Sequence, residues 1–304
     1  MRTFVRFALG LALLAMVPMT ALAGTQGTMY KDLPEQSQAL HTETITLPSG
    51  VTLQYAEKGN PNGEAIVFIH GYTDSWMSYR LVLPDISPRY RSIAVTLRGF
   101  GDSAKPESGY AGADFAADIT ALMDALGINK AVLVGHSMGS FIAQQVAFTY
   151  PDRVNGLVLV GSAATAYNPV VADLKAYVLT LDDPLDRQFV YDFQASTVYR
   201  PLPDGFLDVA TDESLKAPAR VWKAAVEGVL SEDHAADLAG ITASTLVMWG
   251  DQDAIFSAAE QHALLAAIPG AELQVYAGTG HAPHWEEPAK FTANLEAFIA
   301  SLGK

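Results

Sequence analysis

One stretch of this sequence decides its fold: residues 130–150 are KAVLVGHSMGSFIAQQVAFTY. An apolar run from Lys130 to Val134 leads into the motif Gly135-His136-Ser137-Met138-Gly139, and helical spacing follows from Phe141. This order predicts a strand, a sharp turn and a helix, with glycines where side chains would collide with the neighbouring elements. The turn holds Ser137 in a strained conformation and exposes its hydroxyl, which makes Ser137 a candidate nucleophile.

The first 23 residues have the pattern of a signal peptide. Arg2 and Arg6 precede an apolar segment from Phe7 to Val17, and Ala21-Leu22-Ala23 follows it. Cleavage after Ala23 fits this pattern, and the apolar segment is shorter than the roughly 20 residues that span a membrane. We therefore expect a periplasmic or secreted protein without stable membrane association after cleavage, beginning with an extended arm at residues 24–40. An uncleaved membrane anchor is the alternative.

The composition restricts the classes of partner. The chain has 304 residues, half of them apolar, which suffices for one large domain or for one domain with an insertion. It has no cysteine, so disulfides and a thiol nucleophile are excluded. Its 19 basic and 33 acidic residues give a net charge of −14, and loss of residues 1–23 makes the charge more negative because it removes two of the arginines. Because such a surface repels phosphates, nucleic acids and anionic membranes are not expected partners.

Short apolar runs alternate with helical patterns along most of the chain. Thr42–Leu47 and Val51–Glu57 flank a Pro-Ser-Gly turn and predict an antiparallel hairpin. The later runs up to Thr245–Trp249 have the apolar signature of strands covered on both faces, and the helices between them have one apolar side. The sequence therefore predicts an α/β fold with a mostly parallel, doubly wound sheet. The later strands are predicted at Ala65–Ile69, Ser92–Leu97, Ala131–Val134, Val154–Val160, Thr245–Trp249 and Glu272–Tyr276, and the helices near Phe115–Leu126, Phe141–Tyr150, Ala258–Ile268 and Phe291–Leu302.

More than 80 residues separate the strands Val154–Val160 and Thr245–Trp249, which is too long for a simple crossover. Helical patterns with proline breaks fill this interval. They predict a helical cap at residues 167–240, inserted between core segments 24–166 and 241–304. The cap is rich in aromatic residues, which either pack its own core or face Ser137 and form an apolar pocket.

A serine nucleophile needs a base within hydrogen-bonding reach and a carboxylate that orients this base. Asp253 and His281 each lie just past the end of a predicted strand, where the loops of an open parallel sheet form a crevice. We therefore predict a catalytic triad of Ser137, Asp253 and His281, in that chain order. Asp251 is the alternative acid, and His284 is the alternative base.

The oxyanion of a tetrahedral intermediate needs two hydrogen-bond donors. The N–H of Met138, next to the nucleophile, is the first candidate. The second is the N–H of Tyr72, in the loop His70-Gly71-Tyr72 after the strand Ala65–Ile69, because Gly71 allows a close approach. The alternative is that this loop is only a turn at the end of a strand.

Several segments carry a family resemblance. They are His70-Gly71 with Trp76, the segment Arg98 to Ser103, the motif around Ser137, the segment Gly250 to Asp253, and Gly280-His281 with Glu286, Glu287 and Pro288. Over residues 42–302 the chain resembles the α/β-hydrolase superfamily, in its capped esterase, lactonase and haloperoxidase-like group. One departure is Thr96, where the family commonly has an acid that pairs with the arginine here numbered Arg98. Epoxide hydrolases and haloalkane dehalogenases of this fold use an aspartate nucleophile, and Ser137 argues against both.

The leading hypothesis is an exported serine hydrolase that cleaves carboxylic esters or lactones through an acyl-enzyme. No metal-ligand cluster, dinucleotide fingerprint or phosphate-binding loop is present in the sequence, so no cofactor is expected. The alternatives are perhydrolysis, acyl transfer or C–C hydrolysis by the same triad, and a non-catalytic binding protein. The expected partner is a small apolar or aromatic ester or lactone. The residues predicted to line its pocket are His70, Gly71, Trp76, His136, Tyr191, Phe193, Trp222 and His284.

Overall fold

The computed structural model describes residue 40 and residues 42–302. The predicted signal peptide, its cleavage site and the arm up to residue 39 lie outside these residues. Within them, one sheet has the strand order β1-β2-β4-β3-β5-β6-β7-β8. Strands β1, β2 and β4 pair antiparallel, and all the other pairs are parallel. The strands are β1 Thr42–Thr46, β2 Thr52–Gly59, β3 Ala65–Ile69, β4 Arg91–Thr96, β5 Ala131–His136, β6 Val154–Val160, β7 Thr245–Gly250 and β8 Glu272–Tyr276.

Helices cover both faces of this sheet, and the predicted α/β architecture is confirmed. Helix α2 begins at Met138 rather than near Phe141, because the chain enters the helix directly from the turn. The short helix α8 was not predicted. No helix in the described part of the chain is long and apolar enough to cross a membrane. The helices are α1 Gly112–Ala125, α2 Met138–Thr149, α3 Pro169–Val178, α4 Arg187–Ala195, α5 Phe206–Leu215, α6 Ala219–Glu227, α7 Ala258–Ala267, α8 Pro283–Glu286 and α9 Pro288–Ser301.

The central strands are buried on both faces because their side chains alternate between two cores. Val67 and Leu133 belong to the core that packs against α1 and α2. Their neighbours Phe68 and Val134 point to the other side, into the core that packs against α9. Full burial of each such side chain stabilises the fold by about 1.5–3 kcal/mol. The sheet is therefore a rigid layer whose carboxyl edge holds the loops of the site.

The four helices α3 to α6 lie between β6 and β7, within the interval predicted as a cap. Helix α6 is amphipathic, since Val221, Trp222, Ala225 and Val226 are all buried on one side. Helices α4 and α5 pack against each other, and α5 contacts the 3-10 helix Trp76–Tyr79 that follows β3. The inserted helices thus contact the loop region after β3, while the domain boundaries at residues 167 and 240 stay a prediction.

Candidate active site

Ser137 occupies the turn between β5, which ends at His136, and α2, which begins at Met138. Its backbone has φ 50° and ψ −120°, a conformation that a residue with a side chain rarely adopts. The Ser137 N–H donates to the carbonyl of Val160 at 2.9 Å and so ties the turn to β6. Ser137 is half-buried, so a strained backbone presents its hydroxyl at the carboxyl edge of the sheet.

The two glycines of the motif are required by close backbone contacts. A Cβ atom on Gly135 would lie 2.3 Å from the carbonyl oxygen of Gly139. A Cβ atom on Gly139 would lie 2.2 Å from the carbonyl oxygen of Ile69, at the end of β3. Both clashes are with main-chain atoms, which cannot move without displacing the sheet. Side chains at these two positions would therefore collide with the neighbouring elements, as the motif predicts.

His281 and Asp253 form a buried pair after β8 and β7. The Nδ1 atom of His281 lies 2.8 Å from Oδ2 of Asp253, and both side chains are buried. The other carboxylate oxygen, Oδ1, accepts the backbone N–H groups of Ile255 and Phe256 at 2.8 and 3.1 Å. A carboxylate saturated in this way can only accept from the imidazole, so the proton of neutral His281 resides on Nδ1.

The remaining ring nitrogen of His281, Nε2, is buried and has no hydrogen-bond partner among the described residues. The backbone of His281 is fixed on both sides: its N–H donates to the carbonyl of Thr197 at 2.9 Å, and its carbonyl accepts from Nε2 of His136 at 3.2 Å. The ring also packs against Phe256, with centroids 5.7 Å apart. An oriented imidazole with a free Nε2 lone pair has the properties of a general base.

The alternative acid, Asp251, has a different position. It is exposed, and its Oδ1 accepts from the backbone N–H of Gly278 at 2.6 Å and from the Gln252 amide at 3.1 Å. The hydrogen bond from Gln252, and to a smaller extent that from Gly278, lowers the pKa of the Asp251 carboxyl. Asp251 therefore caps the turn after β8, and the structure pairs His281 with Asp253 instead.

The alternative base, His284, lies inside the wall of the site. Its Nε2 is 3.1 Å from Oγ of Ser78, and its ring lies 4.4 Å from that of His136 and 4.9 Å from that of Tyr79. Burial lowers the pKa values of His284 and His136 well below the ordinary range, with a smaller contribution from neighbouring histidines. Both rings are therefore neutral supports behind His281.

The predicted oxyanion donors lie on two adjacent loops. Met138 is the first residue of α2, and N–H groups in a helix's first turn have no acceptor within the helix. Tyr72 belongs to the loop 71–75, which lies against the end of β5: a Cβ atom on Gly71 would be 2.8 Å from Nδ1 of His136. Gly71 thus allows the close approach that its sequence position suggested. The two backbone donors themselves stay a prediction.

His70 supports this loop from beneath. It is fully buried, its Nδ1 is 2.7 Å from the carbonyl of Gly71, and its Nε2 accepts the backbone N–H of Leu97 at 3.0 Å. Burial lowers the pKa of His70 to about 4, against a smaller opposing effect of the Gly71 hydrogen bond. His70 therefore joins the ends of β3 and β4, which is a structural role rather than the pocket lining predicted for it.

The predicted aromatic residues divide between two places. The Tyr72 ring lies 5.9 Å from that of Phe193 and 5.4 Å from that of Trp222, and its hydroxyl donates to the Trp222 carbonyl at 2.7 Å. We call Tyr72, Phe193 and Trp222 the aromatic cluster. Trp76, in contrast, is buried in the core on the α9 side of the sheet, which corrects its prediction as a pocket residue. Tyr191 is half-buried and makes no aromatic contact among the described residues.

The partner of Arg98, which is Asp118, was not predicted from the sequence. Arg98 donates to both carboxylate oxygens of Asp118 on α1, at 2.5 Å each, and both residues are buried. Thr96, where an acid was expected, accepts the backbone N–H of Trp76 instead. The partner of Arg98 is thus supplied by a helix 20 residues away in sequence. Asp118 lies inside the helical pattern of α1, where a single acid gives no local signal for this role.

Glu286 on α8 was part of the resemblance, but its role appears only in the structure. Its Oε1 accepts the N–H of Gly280 at 2.9 Å, while Oε2 accepts those of Tyr199 and Arg200 at 3.1 and 2.7 Å. Glu286 thereby joins the loop that carries His281 to the segment after α4. Within the described residues, no group of three or more His, Asp or Glu side chains is arranged to hold a metal ion.

A strained serine at the end of β5 and a paired aspartate and histidine after β7 and β8 define the class of this protein. The sequence model of the α/β-hydrolase fold family matches residues 64–288. The chain therefore belongs to the α/β-hydrolase family.

Three similar proteins illustrate the range of this family. The 2-hydroxymuconate semialdehyde hydrolase of Pseudomonas sp. (strain CF600) is 30% identical, over 88% of this chain and 96% of that protein. Lipase 3 of Moraxella sp. (strain TA144) is 31% identical, over 87% of this chain and 86% of the lipase. The structure of an esterase from Exiguobacterium antarcticum matches with a TM-score of 0.76 at 23% identity, covering 84% of this chain and 98% of that one, a likeness of fold alone.

Proposed function

We propose that this α/β hydrolase cleaves carboxylic esters or lactones through an acyl-enzyme on Ser137. The observation that carries the proposal is the buried pair of His281 and Asp253, which leaves Nε2 of His281 free as a base. The His281 ring lies 5.0 Å from that of His136, the residue before Ser137. A serine in the strained turn after β5 and an imidazole polarised by a carboxylate are the two groups that acyl transfer requires. The similarity to Lipase 3 of Moraxella sp. supports the ester bond as the substrate bond.

The reaction would proceed in two halves. The Ser137 hydroxyl attacks the carbonyl carbon and gives its proton to Nε2 of His281, and Asp253 stabilises the resulting imidazolium. The N–H groups of Tyr72 and Met138 donate to the oxyanion. Collapse of this intermediate breaks the bond to the alcohol oxygen, which takes the proton from His281. Water then attacks the acyl carbon and gives a proton to Nε2 of His281. Collapse of this second intermediate breaks the bond to the Ser137 oxygen, which takes the proton back from His281 as the acid leaves.

The aromatic cluster supports a small apolar or aromatic substrate. The N–H of Tyr72 is one of the proposed oxyanion donors, and the rings of Phe193 on α4 and Trp222 on α6 pack against its side chain. Apolar walls with few polar groups are the usual lining of small-molecule sites. A chain-length series of p-nitrophenyl esters, together with a lactone panel, would identify the preferred class.

Ser137→Ala tests the proposed chemistry directly. We expect kcat for a p-nitrophenyl ester to fall by about 10⁴-fold or more, because the nucleophile is removed. A fluorophosphonate should label wild-type Ser137 and not the variant. The matched control is Ser301→Ala, which removes an exposed hydroxyl on α9. Undiminished ester hydrolysis by Ser137→Ala would refute the proposal, and absence of labelling in the wild type would favour a non-catalytic binding protein.

A second candidate function is hydrolysis of a C–C bond by the same triad, with perhydrolysis and acyl transfer as further variants. The similarity to the 2-hydroxymuconate semialdehyde hydrolase favours the C–C reaction among these. Product analysis of three incubations would separate the reactions. A vinylogous 1,5-diketone tests C–C hydrolysis, an ester with peroxide tests perhydrolysis, and an ester with an alcohol tests acyl transfer. Faster turnover of the diketone than of every ester would replace our first proposal by the second.

We also propose that the protein is exported to the periplasm or the medium. The support is the basic, apolar and small-residue order of residues 1–23. Expression with the native N-terminus, cell fractionation and intact-mass measurement would test this. A mature chain beginning at Gly24 outside the cytoplasm is the expected result, and a full-length cytoplasmic chain would contradict it.

A further inference from the structure

Asp74 is a buried carboxylic acid that the proposed mechanism does not use. It follows Tyr72 by two residues, in the loop between β3 and the 3-10 helix Trp76–Tyr79, and it is only 5% exposed. Its Oδ1 accepts from Nε2 of Gln194 at 2.9 Å, and its Oδ2 accepts from Oγ of Ser78 at 3.3 Å. Because Gln194 belongs to α4, the side chain of Asp74 connects the loop to the inserted helices.

Gln194 extends this connection to α5. Its Nε2 also lies 2.8 Å from Oγ of Ser214 and 3.4 Å from Oγ1 of Thr73, and these two hydroxyls are 3.2 Å apart. All four side chains are buried. A closed polar network of this kind fixes each of its members more firmly than isolated hydrogen bonds would. We call Thr73, Asp74, Gln194 and Ser214 the loop latch.

The backbone held by the loop latch is strained. Thr73 has φ 67°, which is unfavourable for a β-branched residue and persists only where the surroundings enforce it. Thr73 lies between Tyr72 and Asp74, so any relaxation of its backbone would change the direction of the Tyr72 N–H. The hydrogen bonds from Gln194 to Thr73 and to Asp74 oppose this relaxation.

The same region is connected to the supports of His281. Oγ of Ser78 donates to Asp74, accepts from Nε1 of Trp285 at 3.0 Å and lies 3.1 Å from Nε2 of His284. In addition, the backbone N–H of His281 donates to the carbonyl of Thr197, three residues after Gln194. The end of α4 therefore contacts both the loop of Tyr72 and the loop of His281.

We propose that Asp74 is a positioning residue: through the loop latch it holds the Tyr72 N–H in the direction required to donate to the oxyanion. This inference rests on the proposed function of Ser137. Asp74 acts on the reaction through the backbone of Tyr72. Removal of its carboxylate should therefore affect the transition state, in which the oxyanion exists, more than the binding of substrate.

The ionised carboxylate of Asp74 lowers the stability of the fold. A residue with a purely structural role would raise it, so the two roles can be distinguished. Burial raises the pKa of Asp74 to about 7, although hydrogen bonds from Gln194 and Ser78 and the charge of His281 lower it in part. Arg80, Glu213 and Tyr79 are the other ionisable groups near it, and His284 is reached through Ser78. Because the folded-state pKa is raised, ionisation of Asp74 destabilises the fold progressively up to about pH 7. An isosteric neutral residue should therefore be more stable above that pH.

Asp74→Asn tests the proposal by steady-state kinetics and thermal unfolding at pH 5.5 and 8. At pH 8 we expect kcat for a p-nitrophenyl ester to fall by about 10²-fold, as for a misplaced catalytic donor, with KM changed less than about 2-fold. The loss should be smaller at pH 5.5, where wild-type Asp74 is itself neutral. The Tm at pH 8 should not fall. An unchanged kcat, or an effect on KM alone, would overturn the proposal.

Two further variants keep the test decisive. Gln194→Met breaks the latch from the α4 side, so it should also lower kcat, and the double variant should be no worse than Asp74→Asn alone. Arg187→Met is the matched control, because it removes two exposed ion pairs between α4 and α5 without touching the latch. Its kcat should stay within about 2-fold of wild type, and an equal loss in this control would overturn the proposal.

The outcome is separable from that of the proposed function. Wild-type protein that hydrolyses esters, with an unaffected Asp74→Asn variant, contradicts only the role of Asp74. If no ester is hydrolysed, the same comparison is made with the rate of fluorophosphonate labelling of Ser137, which depends on the same two donors. Equal labelling rates would overturn the proposal, and a rate about 10²-fold lower in Asp74→Asn would support it.

Discussion

The Nδ1 atom of His281 lies 2.8 Å from Oδ2 of Asp253, while the other oxygen of Asp253 accepts two backbone N–H groups. This relationship fixes both the rotation and the tautomer of the imidazole. It leaves Nε2 as the atom that can exchange a proton with a substrate or with Ser137. The pair is buried, so its electrostatic effect is not screened by solvent.

Asp253→Asn should abolish most of the activity without unfolding the protein. The amide can donate to His281, which favours the tautomer with a proton on Nε2, and we expect kcat to fall by about 10⁴-fold. The measurement is ester hydrolysis at pH 7.5. Asp251→Asn is the matched control, since Asp251 only caps the turn at Gly278. A greater loss in Asp251→Asn than in Asp253→Asn would contradict our assignment.

Gly139→Ala should damage both stability and activity. Its Cβ would lie 2.2 Å from the carbonyl oxygen of Ile69, so β3 and α2 must separate. We expect the free energy of unfolding to fall by about 1–3 kcal/mol or more. Urea denaturation followed by circular dichroism measures this loss. The same substitution at Gly240, where a Cβ meets nothing within 4 Å, should cost much less. An equal loss in the free energy of unfolding at the two positions would show that the turn around Ser137 is packed more loosely than described.

Asp118→Ala should destabilise the fold by about 3–5 kcal/mol, because it leaves the buried Arg98 without its bidentate partner. The midpoint of urea unfolding is the measurement. Asp208→Ala serves as the control, since its ion pair with Arg187 is exposed and such pairs contribute about 0–1 kcal/mol. A cost for Asp118→Ala as small as that of the control would contradict the importance of the buried pair.

Stability should decrease as the pH falls from 7 to 5. Burial holds the pKa of His70 at about 4 and those of His136 and His284 well below 6.5. At a pH between the folded-state pKa of each histidine and its ordinary value of about 6.5, the unfolded chain binds a proton that the folded chain does not. Each such proton lowers the free energy of unfolding by about 1.4 kcal/mol per pH unit as the pH falls. Two carboxyl groups act in the opposite direction because burial raises their pKa values: Asp74, to about 7, and Glu286. The three histidines outnumber them.

Urea denaturation at pH 5 and pH 7 would measure this effect. Asp74→Asn removes one of the two opposing groups, so the loss of stability between pH 7 and pH 5 should be larger in this variant than in wild type. Equal or greater wild-type stability at pH 5 would mean that the buried histidines bind protons in the folded state.

The strand and helix pattern could be predicted because it is local. The strands β3, β6 and β8 have the predicted bounds. For the buried strands β3 and β6 the reason is that an apolar run flanked by turn residues has few other solutions. The short helix α8 has four residues and no period of its own, so only its packing reveals it. Trp76 was misplaced for a related reason: the rotation of the 3-10 helix that carries it, and thus the core it enters, is not encoded in a local pattern.

The sequence by itself determined the strand, turn and helix around Ser137, because Gly135 and Gly139 act within a few residues of it. It also placed Asp253 and His281 at strand ends, since chain order and sheet edge are linked in a parallel fold. Only the tertiary structure decided the supports. Gln194 and Asp74 are 120 residues apart, and Ser78 and His284 are 206 residues apart. Polar contacts over such separations depend on how the layers pack, and single polar residues in loops and helices have no period that would predict them.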